Sequence, residues 1–194
     1  MAKSMSKKEL TALVLKHEGY KNQAKKQAIR AVNKYKEEMI NEFINHPVTQ
    51  EIQAGPSAPN SSSLLGGKGN LFSFIGFEKS QDPIQPVVDV LKQKTRLTGK
   101  AYVAKGGMAL DFEVELPTEQ EITEASKMPF ESGRSWVWGI QRGISGFGHY
   151  LRHKMLSFSR SGTGVQVKNT LRGGSFKRSS YLSQIFRNFL NKLK

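Results

Sequence analysis

The chain has 194 residues, no cysteine, 37% hydrophobic residues and a formal net charge of +14. That length suits one domain, or one domain with an appendage, able to bury a core without covalent staples. The lack of cysteine excludes disulfides, thiolate zinc sites and cysteine nucleophiles, and no apolar run approaches the roughly 18 residues of a membrane span.

In chain order, the first predicted element is a long helix. Ser6 and Glu9 are spaced as a capping box. Apolar residues then recur at Leu10, Leu13, Val14, Tyr20, Ala24, Ala28, Val32, Tyr35, Met39 and Phe43, mostly three or four apart, which predicts one helical stripe. Gly19 is the expected point of interruption, and Pro47 the expected stop. The opposite face carries Lys21, Lys25, Lys26, Arg30, Lys34 and Lys36. Residues 53–70, rich in Gly, Pro, Ser and Asn, show no periodicity and read as loop, a linker or a binding arm. Asn70 to Phe77 is apolar on both faces and reads as a buried strand, or an extended segment covered by a partner. Asp82 is expected to cap a short helix with Pro83 at its first position.

The clearest β signal follows. Met108, Leu110, Phe112, Val114 and Leu116 alternate with Ala109, Asp111, Glu113 and Glu115, which predicts a half-buried antiparallel strand. Gly106-Gly107 supplies a hairpin turn back to a partner strand over about Leu97 to Lys105. Thr118 and Glu121 form a second capping box, for a helix ending near Lys127. Gly148 to Phe158 and Val165 to Leu171 read as two further strands. Tyr181, Leu182, Ile185, Phe186, Phe189, Leu190 and Leu193 define a closing amphipathic helix. The fold class is therefore α+β: a long N-terminal helix, a small antiparallel sheet of about four strands, short helices and a C-terminal amphipathic helix. The expected organisation is a basic helical region over 1–52, a flexible linker or arm over 53–69, and an α+β core domain over 70–194 with a basic C-terminal part.

Charge is unevenly spread. Residues 1–77 hold 11 basic and 6 acidic side chains, 78–131 hold 7 and 10, and 132–194 hold 12 and none. A segment without a carboxylate cannot neutralise itself locally. It calls for an acidic counterpart in the middle of the chain, in a neighbouring subunit or in nucleic-acid phosphate.

No catalytic pattern stands out, and the expectation is a protein without enzymatic activity, cofactor or metal. Thr98-Gly99-Lys100 lacks the upstream glycine and following hydroxyl of a phosphate-binding loop, and the glycines at 66, 67 and 69 follow a serine-rich loop rather than a strand. His149 and His153 share a face but have no carboxylate nearby in sequence to complete a metal site. Glu113 and Glu115 read as solvated carboxylates rather than an acid/base pair. Trp136 and Trp138 beside Arg134 and Arg142 could stack on bases, although packing is the simpler use. The closing helix carries Arg187, Lys192 and Lys194 beside its apolar stripe. That pattern suits a membrane surface, but docking on the sheet is the more economical use and no membrane partner is expected. The candidates for partner or DNA contact are Lys21, Lys25, Lys26, Arg30, Phe72, Phe74, Arg172, Lys177 and Arg178.

Three stretches carry a resemblance. They are Asn45-His46-Pro47-Val48-Thr49 with Glu51-Ile52, Gly69 to Phe77 followed by Asp82-Pro83-Ile84, and Gly164-Val165-Gln166-Val167-Lys168 with Arg172, Phe176 and Tyr181. Together they resemble virion structural proteins of tailed bacteriophages. The order of elements looks like that of the neck, or tail-completion, proteins of the head–tail connector. The resemblance implies a homo-oligomeric ring in the virion, between portal or adaptor and tail proteins, around a channel for DNA. The alternative drawn from charge alone is a nucleic-acid-binding protein using the basic N-terminal helix and the basic C-terminal segment.

Overall fold

A computed structural model describes residues 6–66, 69–103, 109–129, 133–143, 149–152, 165–168 and 179–194. The N-terminal stripe forms two helices, α1 (Lys7–Lys16) and α2 (Glu18–Asn45). The capping box opens α1 as expected, with Ser6 Oγ accepting from Glu9 N and Glu9 Oε2 from Ser6 N. The break falls at His17, in extended geometry, rather than at Gly19. At 1.5 Å per residue, α2 is roughly 40 Å long, but its well-buried residues start only at Val32 and continue through Met39, Ile40 and Phe43. The N-terminal half of α2 and all of α1, including its buried Leu15, therefore stand outside the main core.

His46 ends α2 and caps α3 (Pro47–Gln53), its Nδ1 accepting from Val48 N at 3.2 Å, with Pro47 in the tolerated first turn. The segment read as linker or arm turns back on the core. After a 3-10 turn at Gly55–Ser57, Leu64 and Leu65 are buried. Glu51, also buried, accepts from Ser62 N and Leu71 N at 2.8 Å each, tying both ends of this excursion to α3.

Residues 70–77 are not a strand. Leu71–Ile75 form the short helix α4, started by Asn70 Oδ1 accepting from Ser73 N and ended by Gly76 at φ 91. An apolar run buried on both faces has no period that separates helix from strand; the cap and the left-handed glycine decide it. Helix α5 (Gln85–Lys94) starts later than expected, with Pro86 rather than Pro83 in its first turn. Asp82 still serves its start, accepting from Ile84 N and Gln85 N.

Strands β1 (Arg96–Val103) and β2 (Leu110–Glu115) pair antiparallel, Arg96 opposite Glu115 and Val103 opposite Leu110. The register shifts between Leu97 and Ala101, around Gly99 at φ 82. Leu110, Phe112 and Val114 are half-buried while Asp111, Glu113 and Glu115 are exposed, as the alternation required. Thr118 and Glu121 form the capping box of α6 (Glu119–Ala125). Residues Trp136–Arg142, to which the sequence assigns no element, form α7. Strands β3 (His149–Arg152) and β4 (Val165–Lys168) pair antiparallel as well. The expected sheet of about four strands is thus corrected: among the described residues there are two two-stranded ladders, β1 with β2 and β3 with β4. The turn glycines Gly106 and Gly107, and the remainder of the two C-terminal strands as expected, lie outside the described residues.

Helix α8 (Leu182–Lys192) runs along the C-terminal half of α2 and places Leu182, Ile185 and Phe189 in the core. There Tyr181 meets residues of the 45–52 stretch and, through Trp136, Phe77. Tyr181, fully buried, bonds its hydroxyl to that of Thr49 and stacks on Phe43, 5.6 Å between centroids. His46 lies 4.7 Å from the Tyr181 ring and Trp136 6.3 Å from it. The fully buried Trp136 meets Phe77 edge-on at 6.2 Å.

Candidate interaction surfaces

The N-terminal helices expose apolar area that the chain itself does not cover. Leu10 and Leu13 are each 56% exposed and Val14 44% exposed. Their spacing of three and four puts them on one face of α1. A ten-residue helix is marginal in water without packing, and α1 buries Leu15 alone. Tyr20 and Ile29 continue the exposed apolar residues onto α2.

The basic face expected on α2 is divided by the structure. Lys21 pairs with Glu18 at 3.0 Å. Lys25 extends over β1, where a side-chain carbon added at Gly99 would sit 3.4 Å from its Nζ. Lys36 donates to Lys92 O in the last turn of α5, a favourable place for a cation at a helix C-terminus. Lys26, Arg30 and Lys34 are exposed and four residues apart, and so form one row on the outer side of the helix.

Phe72 and Phe74 are 2% and 3% exposed, and the Phe72 ring lies 5.5 Å from that of Phe77. Both are core residues of α4 rather than surface contacts. Arg172, Lys177 and Arg178 lie outside the described residues. Trp138 is half-buried, its indole N–H donating to Thr123 Oγ1 at 3.1 Å, and does not share the Trp136 environment. Glu113 and Glu115 are exposed, the latter paired with Arg96 at 2.8 Å. Glu121 is held down at about 2 by Lys94 and by the Thr118 backbone N–H of its capping box, which makes it part of a helix cap rather than a proton donor.

One surface feature is invisible in the linear pattern. The half-buried face of β2 and the outer side of α8 enclose an open groove of roughly 650 Å³, walled among the described residues by Phe112 and Val114 on one side and Phe186, Leu190 and Leu193 on the other. The apolar residues of the closing helix are expected from the sequence to dock on the sheet; Leu182, Ile185 and Phe189 instead pack in the core along α2, and the groove remains on the β2 side. Among the described residues no group of three or more His, Asp or Glu is placed to hold a metal ion. No helix among them is long and apolar enough to cross a membrane.

Comparison with protein-family models, with curated proteins and with solved structures returned no match.

Proposed function

We propose that this chain is a structural assembly protein that works by macromolecular contact and carries out no catalysis. The observation that carries the reading is the uncovered apolar stripe of α1. Leu10, Leu13 and Val14 stay in water in the lone chain, and a stripe of this kind marks a site of association. The resemblance of the 45–52, 69–84 and 164–181 stretches narrows the proposal to a subunit of the tailed-phage neck. In that setting it is a ring component between portal and tail in the virion, assembled from copies of itself. Subunits with an acidic middle and basic ends are suited to head-to-tail contact.

Size-exclusion chromatography with light scattering tests this on the full chain. The expected result is a mass above that of a monomer, alone or with portal or tail proteins, and a return to monomer in Leu10→Asp/Leu13→Asp. A chain that stays monomeric and ignores those partners rejects the reading.

The row Lys26, Arg30 and Lys34 favours nucleic-acid binding as a second reading, because it is exposed and regular. Binding of duplex DNA would then weaken steeply with salt, with a log–log slope of about −0.9 per phosphate neutralised. Replacing all three by Gln would flatten the slope by roughly three contacts. A salt-independent signal, or none at low salt, rejects it.

A further inference from the structure

The groove between β2 and α8 has a chemistry of its own. Helix α8 carries two apolar stripes. Leu182, Ile185 and Phe189 are buried in the core, while Phe186, Leu190 and Leu193 turn toward Phe112 and Val114 of β2. Leu190 is 39% exposed, and the other four groove residues are half-buried, so the apolar floor is incomplete. A continuous stripe at i, i+4 and i+7 facing an apolar strand surface, open along one side, has the form that accepts an amphipathic helix.

The rim decides what kind of helix. Arg187 and Lys194 stand over the groove, and among the described lining residues there is no Asp or Glu side chain. Arg187 donates to the neutral Gln184 Oε1 at 2.9 Å and has no carboxylate partner among the described residues. The contrast is with Lys192 of the same helix, which faces α2 and pairs with Glu38 at 2.8 Å. The cation turned toward the body of the protein is matched by a carboxylate, whereas Arg187 on the groove side meets none among the described residues. Within this chain α1 offers an apolar stripe, but its charged neighbours are Lys7, Lys8 and Lys16 against Glu9 alone. That gives it the same sign as the rim.

We propose that this groove is a docking site for an amphipathic helix of a partner protein, with an apolar i, i+3/i+4, i+7 stripe flanked by carboxylates. The stripe fills the space between β2 and α8, and the flanking carboxylates pair with Arg187 and Lys194. The site is separate from α1 and does not rest on the phage reading.

Fluorescence anisotropy of the full chain with three labelled 16-residue peptides tests it. One has a leucine stripe flanked by Glu, its twin has Lys in place of Glu, and the third scrambles the Glu peptide so that charge is kept and the stripe lost. The scrambled peptide controls for plain attraction to a net charge of +14. The expected result is saturable binding of the Glu peptide, at least tenfold tighter than either control. Leu190→Asp should weaken it at least tenfold, and Arg187→Glu/Lys194→Glu should transfer the preference to the Lys twin. All substituted positions lie off the buried stripe of α8, and unchanged far-UV circular dichroism verifies the fold. Equal binding of the Glu and scrambled peptides, binding that survives both variants, or no binding of any peptide overturns the proposal. So does a loss of self-association in Leu190→Asp by light scattering, since a second copy would then be the occupant.

Discussion

His46 does two jobs with one nitrogen. Its Nδ1 must be unprotonated to accept from Val48 N and start α3, and its ring packs against Tyr181. Burial depresses its pKa below the usual 6.5, more than the Glu42 carboxylate raises it. A depressed histidine takes up protons more readily in the unfolded chain, so folding stability rises with pH through this window. The contribution is complete above about 6.5 and is lost as pH falls through the lower folded value. The chain should therefore be measurably less stable to urea at pH 5.5 than at pH 7.5. In His46→Asn, which keeps a side-chain acceptor for Val48 N without titrating, most of that difference should vanish. Neighbouring Tyr181 is locked in its neutral form, since burial pushes the phenol far up against the opposing effect of its Thr49 hydrogen bond. Glu51 is buried too, and each of its two carboxyl oxygens accepts a backbone N–H, from Ser62 and Leu71.

At the scale of elements, α4 shows how one polar residue links local and distant structure. Asn70 is 6% exposed. Its Oδ1 caps α4, and its Nδ2 donates to Pro56 O at 2.7 Å and to Ala58 O at 3.1 Å. The segment of 53–66 is held down by that amide as well as by Leu64 and Leu65. Asn70→Asp keeps the cap but turns two donated bonds into repulsion between oxygens. It should lower the unfolding free energy by about 1–3 kcal/mol in urea titration. An unchanged midpoint would show that the cap alone matters. Helix α1 is the opposite case, because its capping box is complete and its tertiary packing is not. The capping motifs at Ser6 and Thr118 were readable in advance because their partners lie three residues away. The two-faced run 71–75 was not, because both candidate structures bury it equally.

Over the whole molecule, charge is in surplus. The 30 cations outnumber 16 carboxylates, and among the described residues six carboxylates are already taken in surface ion pairs such as Lys94–Glu121 and Arg96–Glu115. Exposed pairs contribute little, because solvent screens them and holding two long side chains together costs entropy, while like-charge repulsion acts across the molecule within a Debye length of roughly 10 Å at 0.1 M salt. Repulsion should win, so the thermal midpoint of the isolated chain should rise between 20 and 300 mM NaCl, as differential scanning calorimetry would measure. A falling midpoint would mean that the ion pairs dominate. This salt response of stability runs opposite to that expected for phosphate binding, so the two can be told apart on one preparation.

The sequence by itself determined the helical period before Pro47, both capping boxes, the β1–β2 hairpin alternation, the closing amphipathic helix and the lopsided charge. Each of these is written within a few residues of chain, where propensity, spacing and hydrogen-bond partners are local. Only the tertiary structure decided which members of the long N-terminal stripe are covered, that Phe72 and Phe74 are core, and that the described strands pair as two ladders instead of one sheet. It alone also brought β2 and α8, some 70 residues apart in the chain, into a shared apolar groove. Burial depends on what the rest of the fold leaves uncovered, and no spacing rule along one segment contains that information.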